Sequence, residues 1–182
     1  KMSNTFSLPV PANFSFARTV RGHGWRDLLP FEFDEATGTL SYAFSPALKS
    51  SPVAISITSD GAAIKVETSS KKAKPDEILP VVRHLLRLDD DLEDFYSTLC
   101  GIEDFEWVRE ARAGRLLRSH TVFEDLVKTM CTTNCSWALT RNMTTNLVTK
   151  LGRSAAGGRS AFPTPEAMAG VGEQFYREEI RA

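Results

Sequence analysis

The period of the apolar residues changes near Pro75, and this change most constrains what the chain can fold into. Before Pro75, apolar and polar residues alternate along residues 37–44, 51–60 and 62–69, with many β-branched side chains. Alternation of this kind is typical of strands with one buried face. Asp60-Gly61 lies between the last two stretches and predicts a hairpin with a two-residue turn. We therefore expect an antiparallel sheet that ends near Ser70.

After Pro75 the pattern is helical. Pro75 is followed by two acids and then by an apolar face, which predicts a helix. That face consists of Ile78, Val82, Leu85 and Leu86. Pro80 lies early enough to be tolerated, although a helix boundary there stays open. Residues 89–99 predict a second helix, capped by Asp89 or a neighbour, and residues 102–112 predict a third. Strands followed by helices indicate an α+β fold with segregated elements.

Two further helices are predicted on either side of a polar interruption. Thr121 and Glu124 have the spacing of a capping box and predict a helix over Val122–Cys131. The next apolar stripe predicts a helix over Trp137–Leu151, ended by Gly152. Between them lies "TTNCS", residues 132–136, whose small polar side chains compete for backbone hydrogen bonds. Such a run marks a joint, and joints on a rigid scaffold often serve function. Shorter helices are predicted after Thr164 and over residues 173–182.

The composition is that of an ordinary globular protein, with 42% hydrophobic and 25% charged residues. No apolar run reaches membrane-spanning length, and the first residues contain no signal-peptide core. The net charge of -1 argues against a whole-chain polyanion binder but leaves local patches open. The 3 cysteines form no even disulfide framework, so we expect a reducing cytoplasm. Because no membrane-spanning run is present, we expect no membrane partner.

The residue types that usually perform chemistry give no catalytic or metal site. Cys131 and Cys135 lack the further ligands of a zinc or iron–sulfur site, so buried thiols are the simpler interpretation. The 3 histidines are isolated, and surface or capping roles fit them better than catalysis. The acidic run at residues 89–94 lacks the spacing of a calcium loop. The Gly-rich residues 152–161 follow a helix, unlike phosphate-binding loops. We expect no cofactor and no metal.

Charge is unevenly distributed along the chain. Residues 109–159 include only three acids: Glu110, Glu124 and Asp125. The basic residues in the same range are Arg109, Arg112, Arg115, Arg118, Lys128, Arg141, Lys150, Arg153 and Arg159. This surplus predicts a basic helical surface that is compatible with contact to phosphates. A mixed, solvated face is an equally open interpretation of the same residues.

The segment "GRLLRSHTVFEDLVKTMCTTNCSWALTRNMTTNLVTKLG", followed by "FPTPEAMA", resembles the helix-hairpin-helix DNA glycosylases. The likeness is to the branch that holds 8-oxoguanine DNA glycosylase and 3-methyladenine DNA glycosylase II. Members share a "dPfE.Lv..I...N" helix–turn–helix and a later "FPTPe.LA", and "RLDDDLEDFYSTL" fits an earlier family segment. The resemblance implies an antiparallel TBP-like sheet domain over residues 1–87. Part of an all-α glycosylase helical domain is then expected over residues 88–182.

The resemblance also implies a role for the joint. In the family, a side chain in this turn fills the gap left by a flipped-out base, and the match falls on Asn134. Its amide offers a donor and an acceptor to the orphaned base, while a helix-capping role stays open. Ser136, Thr133 and Arg141 are implied as flanking DNA contacts. Leu139 stands where the 8-oxoguanine enzyme has an arginine that reads cytosine, so strict preference for that opposite base is not expected.

Two further expectations follow from the resemblance. "RGHGW", residues 21–25, lies where the 8-oxoguanine enzyme places a pocket glycine, which implies Gly22 or Gly24 as part of the lesion pocket. The family's hairpin and catalytic aspartate come well after "FPTPE", and neither pattern occurs before Ala182. We therefore expect a fragment that has no catalytic residue of its own.

The expected parent protein is a base-excision DNA repair glycosylase that flips out a damaged base and cleaves its N-glycosidic bond. An additional AP lyase step stays open. The expected partner is damaged double-stranded DNA, bound by a monomer in a bacterial-type cytoplasm at the nucleoid. Two alternatives remain at this stage. One is a non-enzymatic DNA-binding α+β module, and the other is a small-ligand-binding α+β domain unrelated to DNA.

Overall fold

A computed structural model describes residues 4–47 and 50–181, which form an α+β fold with one antiparallel sheet. Its strands are β1 (Asn4–Pro9), β2 (Glu32–Asp34), β3 (Thr39–Phe44), β4 (Val53–Ser59) and β5 (Ala63–Thr68). Their order across the sheet is β1-β5-β4-β3-β2. The predicted fold class and the three predicted strands are confirmed, whereas the two edge strands β1 and β2 were not predicted.

The predicted hairpin joins β4 to β5, but its connection is longer than expected. It spans residues 60–62, one residue more than a two-residue turn. Asp60 Oδ1 accepts hydrogen bonds from the backbone N–H groups of Ala62 and Ala63, at 2.9 and 2.8 Å. Gly61 has φ +93°, a conformation that favours glycine. The Asp-Gly pair therefore directs the turn through both its carboxylate and its glycine.

The helices follow the sheet, with one exception in the N-terminal segment. They are α1 (Phe16–Arg21), α2 (Pro75–Leu86), α3 (Glu93–Thr98), α4 (Glu106–Glu110), α5 (Val122–Cys131), α6 (Trp137–Leu151), α7 (Pro165–Ala169) and α8 (Glu173–Phe175). Gly24–Asp27 and Glu103–Phe105 form 3-10 turns, and Tyr176–Ile180 is π-helical. The predicted bounds of α5 and α6 are confirmed, and α2 continues through Pro80 without a boundary. None of the described helices is long and apolar enough to cross a membrane.

The helix predicted over residues 89–99 is shorter than expected, and of the predicted capping acids it is Asp91, the neighbour of Asp89, whose Oδ1 accepts from the backbone N–H of Glu93 at 2.9 Å. α3 begins only at Glu93, and the residue before it, Leu92, provides no side-chain cap. Asp89 instead forms an ion pair with Arg83 of α2, which draws its carboxylate away from the start of α3. The ion pair with Arg83 therefore occupies Asp89, and Asp91 serves the start of α3 instead.

The main core lies between the sheet and α2. Leu40 pairs with Ile57 and Tyr42 with Ile55 across β3 and β4, so their side chains share the inward face. The predicted apolar face of α2 covers them, and all of its members are fully buried: Ile78, Val82, Leu85 and Leu86. The same core continues to Leu117, just before α5. The boundary after residue 87 stays a prediction.

A second, smaller cluster forms around α6. Met143 and Leu147 are buried against Ile180 of the C-terminal π-helical turn. Gly152 ends α6 with an extended backbone because a Cβ there would collide with the carbonyl oxygens of Val148 and Ala161. The predicted helix end at Gly152 is confirmed, and its cause is this crowding between the helix end and the following loop.

Candidate nucleic-acid interface

Helix α5 leads to the polar joint, and its first turn is fixed to the sheet by a side chain. Thr121 Oγ1 accepts a hydrogen bond from the backbone N–H of Glu124 at 3.2 Å, which is half of the predicted capping box. The other half is absent from the described hydrogen bonds, because the Glu124 carboxylate accepts from the Tyr42 hydroxyl of β3 at 2.7 Å instead. The prediction of a full capping box is therefore wrong. Glu124 links the helix to the sheet rather than to its own cap.

Lys128 completes a buried polar network with Glu124. Its Nζ donates to Glu124 Oε1 at 2.6 Å and lies 3.4 Å from Ser119 Oγ. The ammonium also lies over the Phe31 ring, 4.9 Å from its centroid. Burial lowers the pKa of Lys128, and the neighbouring Glu124 carboxylate opposes that shift. Burial, with Glu124 beside it, raises the pKa of Tyr42 well above its ordinary value. The sequence signal for this network was the i,i+4 spacing of Glu124 and Lys128, which was not recognised.

Burial of basic side chains corrects the predicted basic surface. Lys128 is fully buried and Arg115 is 2% exposed, so neither contributes to it. Four others are ion-paired with acids: Arg109 with Glu93, Arg118 with Asp90, Lys150 with Glu179 and Arg159 with Glu32. Arg141 is exposed and forms no hydrogen bond or ion pair within residues 4–47 and 50–181. The available positive charge near the joint is thus smaller than the composition suggests, and Arg141 is its clearest member.

The N-terminal segment is fixed to α5 beside this network. Trp25 Nε1 donates to Asp125 Oδ1 at 2.7 Å, and Asp125 also accepts from the backbone N–H of Ser119 at 3.1 Å. His23 Nδ1 accepts from the backbone N–H of Trp25 at 3.0 Å, so its Nε2 donates to the Leu117 carbonyl at 2.9 Å. Burial lowers the pKa of His23, which favours this neutral ring. The capping role predicted for a histidine is confirmed at His23.

The polar run ends α5 by satisfying its last carbonyl groups. Thr132 Oγ1 donates to the Thr129 carbonyl at 2.6 Å, and Thr133 Oγ1 donates to the Met130 carbonyl at 2.7 Å. The backbone N–H of Thr133 bonds to the same Met130 carbonyl. These bonds explain why hydroxyl residues interrupt two apolar stripes. Both donors of Thr133 are used inside the turn, so this predicted contact residue has none free for a phosphate.

Asn134 lies at the tip of the turn between α5 and α6. Its φ is +54°, a left-handed conformation that asparagine tolerates better than most residues. The side chain is exposed, and within the described part of the chain it makes no hydrogen bond. The capping role left open for Asn134 is wrong, because Ser136 caps α6 by accepting from the Leu139 N–H at 3.3 Å. The amide of Asn134 is therefore free to meet a ligand.

The start of α6 lies directly beside Asn134. The first turn contains no acidic residue, and the 15-residue helix places the positive end of its dipole there. The hydroxyl of Ser136 accepts from the backbone, which leaves its hydrogen free to donate outward. Arg141 is exposed one turn further along the same helix. Asn134, Ser136 and Arg141 are thus exposed donors at and just after the joint, and we call these three residues the α6 donor surface.

The two candidate pocket glycines lie in different places. A Cβ on Gly24 would collide with the indole ring of Trp137, the first residue of α6, so Gly24 permits close contact between the N-terminal segment and the start of α6. A Cβ on Gly22 would lie 2.8 Å from Leu116 Cδ2 and 3.2 Å from the Arg115 carbonyl oxygen. The structure therefore brings Gly24 to the joint, whereas Gly22 faces a separate cavity.

An apolar cavity of about 370 Å³ lies behind the joint, between α5, α6 and the C-terminal helices. Cys131 and Cys135 line it and are half-buried. Cys135 Sγ donates to the Cys131 carbonyl at 2.9 Å, and burial raises the pKa of Cys131. Such a thiol stays protonated and unreactive at neutral pH. Among the residues that the structure describes, no group of three His, Cys, Asp or Glu side chains could hold a metal ion.

Comparison with known proteins gives structural neighbours only. No protein-family model and no curated protein matches the chain. The 3-methyladenine DNA glycosylase from Archaeoglobus fulgidus matches 95% of this chain and 60% of its own, at 19% identity and a TM-score of 0.76. The structure of MBOgg1 in complex with a low affinity DNA ligand matches 100% of this chain and 61% of its own, at 14% identity and a TM-score of 0.72.

A third neighbour is the apo form of Clostridium acetobutylicum 8-oxoguanine glycosylase/lyase. It matches 85% of this chain and 54% of its own, at 16% identity and a TM-score of 0.62. This chain thus spans about 60% or less of the length of these three structures. At such identities the likeness establishes the fold. The described residues have the sheet-and-helix fold that the 3-methyladenine and 8-oxoguanine DNA glycosylases share over the matched region.

Proposed function

We propose that this chain is the DNA-engaging part of a helix-hairpin-helix base-excision glycosylase. In this proposal the complete enzyme flips a damaged base out of double-stranded DNA and cleaves its N-glycosidic bond. The α6 donor surface contacts the DNA, and Asn134 occupies the space that the flipped base leaves. The observation that carries the proposal is the free, exposed amide of Asn134 on a left-handed turn, at the position that matches the family's gap-filling residue.

The chemistry of Asn134 suits the gap. Extruding a base costs a few kcal/mol of lost stacking and pairing, and a side chain in the gap offsets part of that cost. The amide offers both a donor and an acceptor, so it can pair with the edge of the orphaned base whichever base that is. Because Leu139 is apolar where the 8-oxoguanine enzyme has arginine, we propose no strict requirement for cytosine opposite the lesion.

The start of α6 is suited to bind a DNA phosphate next to the gap. Free backbone N–H groups, the positive end of the helix dipole and the Ser136 hydroxyl converge at this point. Arg141 adds a mobile positive charge one turn further along. Gly24 keeps the N-terminal segment against Trp137, so we propose Gly24 rather than Gly22 as the glycine beside the lesion pocket.

No catalytic residue is assigned within the described chain. Burial lowers the pKa of Lys128 in α5, but this lysine is fully buried and bonded to Glu124. It cannot reach a sugar carbon without breaking that pair, so Lys128 is not proposed as a lyase nucleophile. We propose that the aspartate that stabilises the oxocarbenium-like charge lies outside the described residues.

Binding to an abasic duplex tests the role of Asn134 without requiring catalysis. An abasic site already contains the gap, so the chain should bind it more tightly than an intact duplex of the same sequence. Asn134→Ala should reduce this preference by about tenfold, the effect expected when one or two hydrogen bonds to the orphaned base are lost. Fluorescence anisotropy at fixed low salt measures both affinities.

The matched control is Asn142→Ala, which removes an exposed asparagine amide from α6 and leaves the joint intact. It should leave the preference for abasic DNA unchanged. An equal loss in both variants, or no preference in the unaltered chain, would contradict the proposed role of Asn134.

Excision by the protein expressed with its full natural reading frame tests the enzyme class. The duplexes should include 8-oxoguanine, 3-methyladenine-type, hypoxanthine and uracil lesions. Release of any of these bases supports the glycosylase. Abasic-site binding without excision of any lesion would instead support a non-enzymatic DNA-binding module.

A further inference from the structure

A second cavity shares no lining residue with the α6 donor surface. It has a volume of about 490 Å³ and is formed by α1, by Trp107 of α4 and by residues 113–116. Gly22 lies on its wall, where a side chain would meet Leu116 Cδ2. Cavities of this size are in the range that small organic ligands occupy, about 300–1,000 Å³.

All the charged residues that line this cavity are basic. Arg18, Arg21 and Arg115 line it, and no Asp or Glu does. Arg18 makes no ion pair within the described residues, and its guanidinium lies over Trp107, 5.8 Å from the ring centroid. Arg21 is paired with Glu35, but both side chains are about half exposed, 44% and 55%, and such pairs are weak. An incoming anion can therefore recruit both α1 arginines.

Arg115 is the buried member of the three lining arginines. Its side chain is 2% exposed, and Nε is a buried donor without a hydrogen-bond partner. Nη1 donates to the carbonyls of Arg87 and Asp90, and Nη2 donates to Asn13 Oδ1 at 3.5 Å. No carboxylate neutralises this guanidinium among the ion pairs of the described residues. None of these hydrogen-bond partners lines the cavity, so Arg115 forms part of the cavity wall, and contact with an anion is left to Arg18 and Arg21.

Trp107 gives the cavity an aromatic surface. The indole is 51% exposed, and its Nε1 donates to the Asp104 carbonyl at 3.1 Å, which fixes the orientation of the ring. Leu116, 39% exposed, adds an apolar wall. A flat ligand ring can stack on the indole while an attached anionic group contacts the arginines.

From these features the geometry points to a binding site for an aromatic base that carries a phosphate, stacked on Trp107 and held through its phosphate by Arg18 and Arg21. The base and phosphate can belong to a free mononucleotide or to one nucleotide of a single strand. This site does not include Asn134, Ser136 or Arg141, so it goes beyond the proposed contact with damaged duplex DNA.

The test uses deoxyadenosine monophosphate as the probe and the full 182-residue chain. Calorimetry gives the affinity, and the ¹⁵N-indole NMR signals show which tryptophan is perturbed. We expect the Trp107 indole signal to shift. Arg18→Gln and Trp107→Leu should each weaken binding by about tenfold, the loss expected for one charge-assisted contact or one stacked ring. Both side chains are exposed, so far-UV circular dichroism should be unchanged.

Controls separate this site from general charge and from the α6 donor surface. Arg177→Gln alters an exposed, ion-paired arginine outside the cavity, and Asn134→Ala alters the joint. Both should leave the nucleotide affinity unchanged. Deoxyadenosine and inorganic phosphate should each bind at least about tenfold more weakly than the nucleotide, since each lacks half of the recognised group.

A single-stranded oligodeoxyadenylate distinguishes the two sources of the ligand. Tighter binding than the mononucleotide, weakened by Arg18→Gln and Trp107→Leu, assigns the site to a nucleic-acid strand. Equal or weaker binding assigns it to free nucleotides. No shift at Trp107 overturns the inference. So does binding that Arg18→Gln and Trp107→Leu leave unchanged, or inorganic phosphate that binds as tightly as the nucleotide. Failure of the abasic-site test at Asn134 leaves this inference unaffected.

Discussion

Replacing Lys128 with Met removes one half of a buried ion pair while nearly keeping the length of the side chain. Lys128 is 0% and Glu124 4% exposed, and their charged atoms lie 2.6 Å apart. In the variant, the Glu124 carboxylate keeps the hydrogen bond from Tyr42 but loses its neutralising charge. Breaking a buried pair from one side costs about 3–5 kcal/mol. Domains are stable by about 5–15 kcal/mol, so we expect a large loss of folding free energy.

Equilibrium urea unfolding at neutral pH, followed by far-UV circular dichroism, measures this loss. The chain provides a matched control in the Glu173–Arg177 pair, which has the same i,i+4 spacing but is 76% and 73% exposed. Arg177→Met should cost about 0.5 kcal/mol or less, because water screens exposed helix pairs. The difference between the two Met variants isolates the effect of burial, since the helical spacing and the new side chain are the same.

A double variant tests the mechanism behind the loss. Glu124→Gln combined with Lys128→Met removes the unneutralised charge and keeps an acceptor for the Tyr42 hydroxyl. It should be more stable than Lys128→Met alone by about 1–3 kcal/mol. A cost of Lys128→Met no larger than that of Arg177→Met would refute the reasoning, because it would mean that water reaches Lys128 in the folded protein.

Two further changes probe the positioning of the joint and the pH dependence of folding. Gly24→Ala places a methyl group against the Trp137 ring and should destabilise the fold by about 1–3 kcal/mol, measured by urea unfolding. Burial, followed by the effect of Glu124, raises the pKa of Tyr42 well above its ordinary value of 10.0. Above about pH 10 the unfolded state therefore releases a proton that the folded state keeps. The stability from this group, full below that pH, should decline as the pH rises.

Controls for both changes are available in the chain. Gly172→Ala adds a methyl group where no atom lies within 4 Å, so it should change stability by about 0.5 kcal/mol or less. Equal effects of the two glycine variants would exclude crowding at Trp137 as the cause. Between about pH 9 and 11, Tyr42→Phe should lose less stability than the unaltered chain. Parallel losses in the two proteins would show that Tyr42 ionises as freely when folded as when unfolded.

The elements that the sequence predicted well have strong local signals. The bounds of α5 and α6 follow from caps at Thr121 and Gly152 and from apolar stripes of helical period. The strands of the hairpin follow from alternation and from Asp60-Gly61. The edge strand β1 was missed because only Phe6 and Leu8 alternate in its six residues. Such a short pattern is not distinguishable from an extended loop before its pairing with β5 is known.

The candidate site was only partly predictable, because the sequence shows which residues of a segment are basic but not which of them reach the surface. Lys128 and Arg115 are basic in sequence, but tertiary partners make them interior residues. Lys128 bonds to Glu124, and the Glu124 carboxylate accepts a hydrogen bond from the hydroxyl of Tyr42, which lies 82 positions away in the sequence. No local pattern reports such a distant partner. The sequence predicts that Asn134 lies in the joint. Only the structure shows that its side chain does not cap α6, because Ser136 is the residue that accepts from the first turn.

The acids at the start of α5 show how one local pattern can have two physical meanings. Glu124 and Asp125 fit the rule that acids favour the positive end of a helix dipole. In the fold, each also binds a distant group: Glu124 binds Tyr42 of the sheet, and Asp125 binds Trp25 of the N-terminal segment. Neighbouring positions on a helix point about 100° apart, so these two bonds fix both the position and the rotation of α5. The turn at the far end of α5 is thereby held in one orientation relative to the sheet, which is what the proposed insertion of Asn134 into a gap in DNA requires.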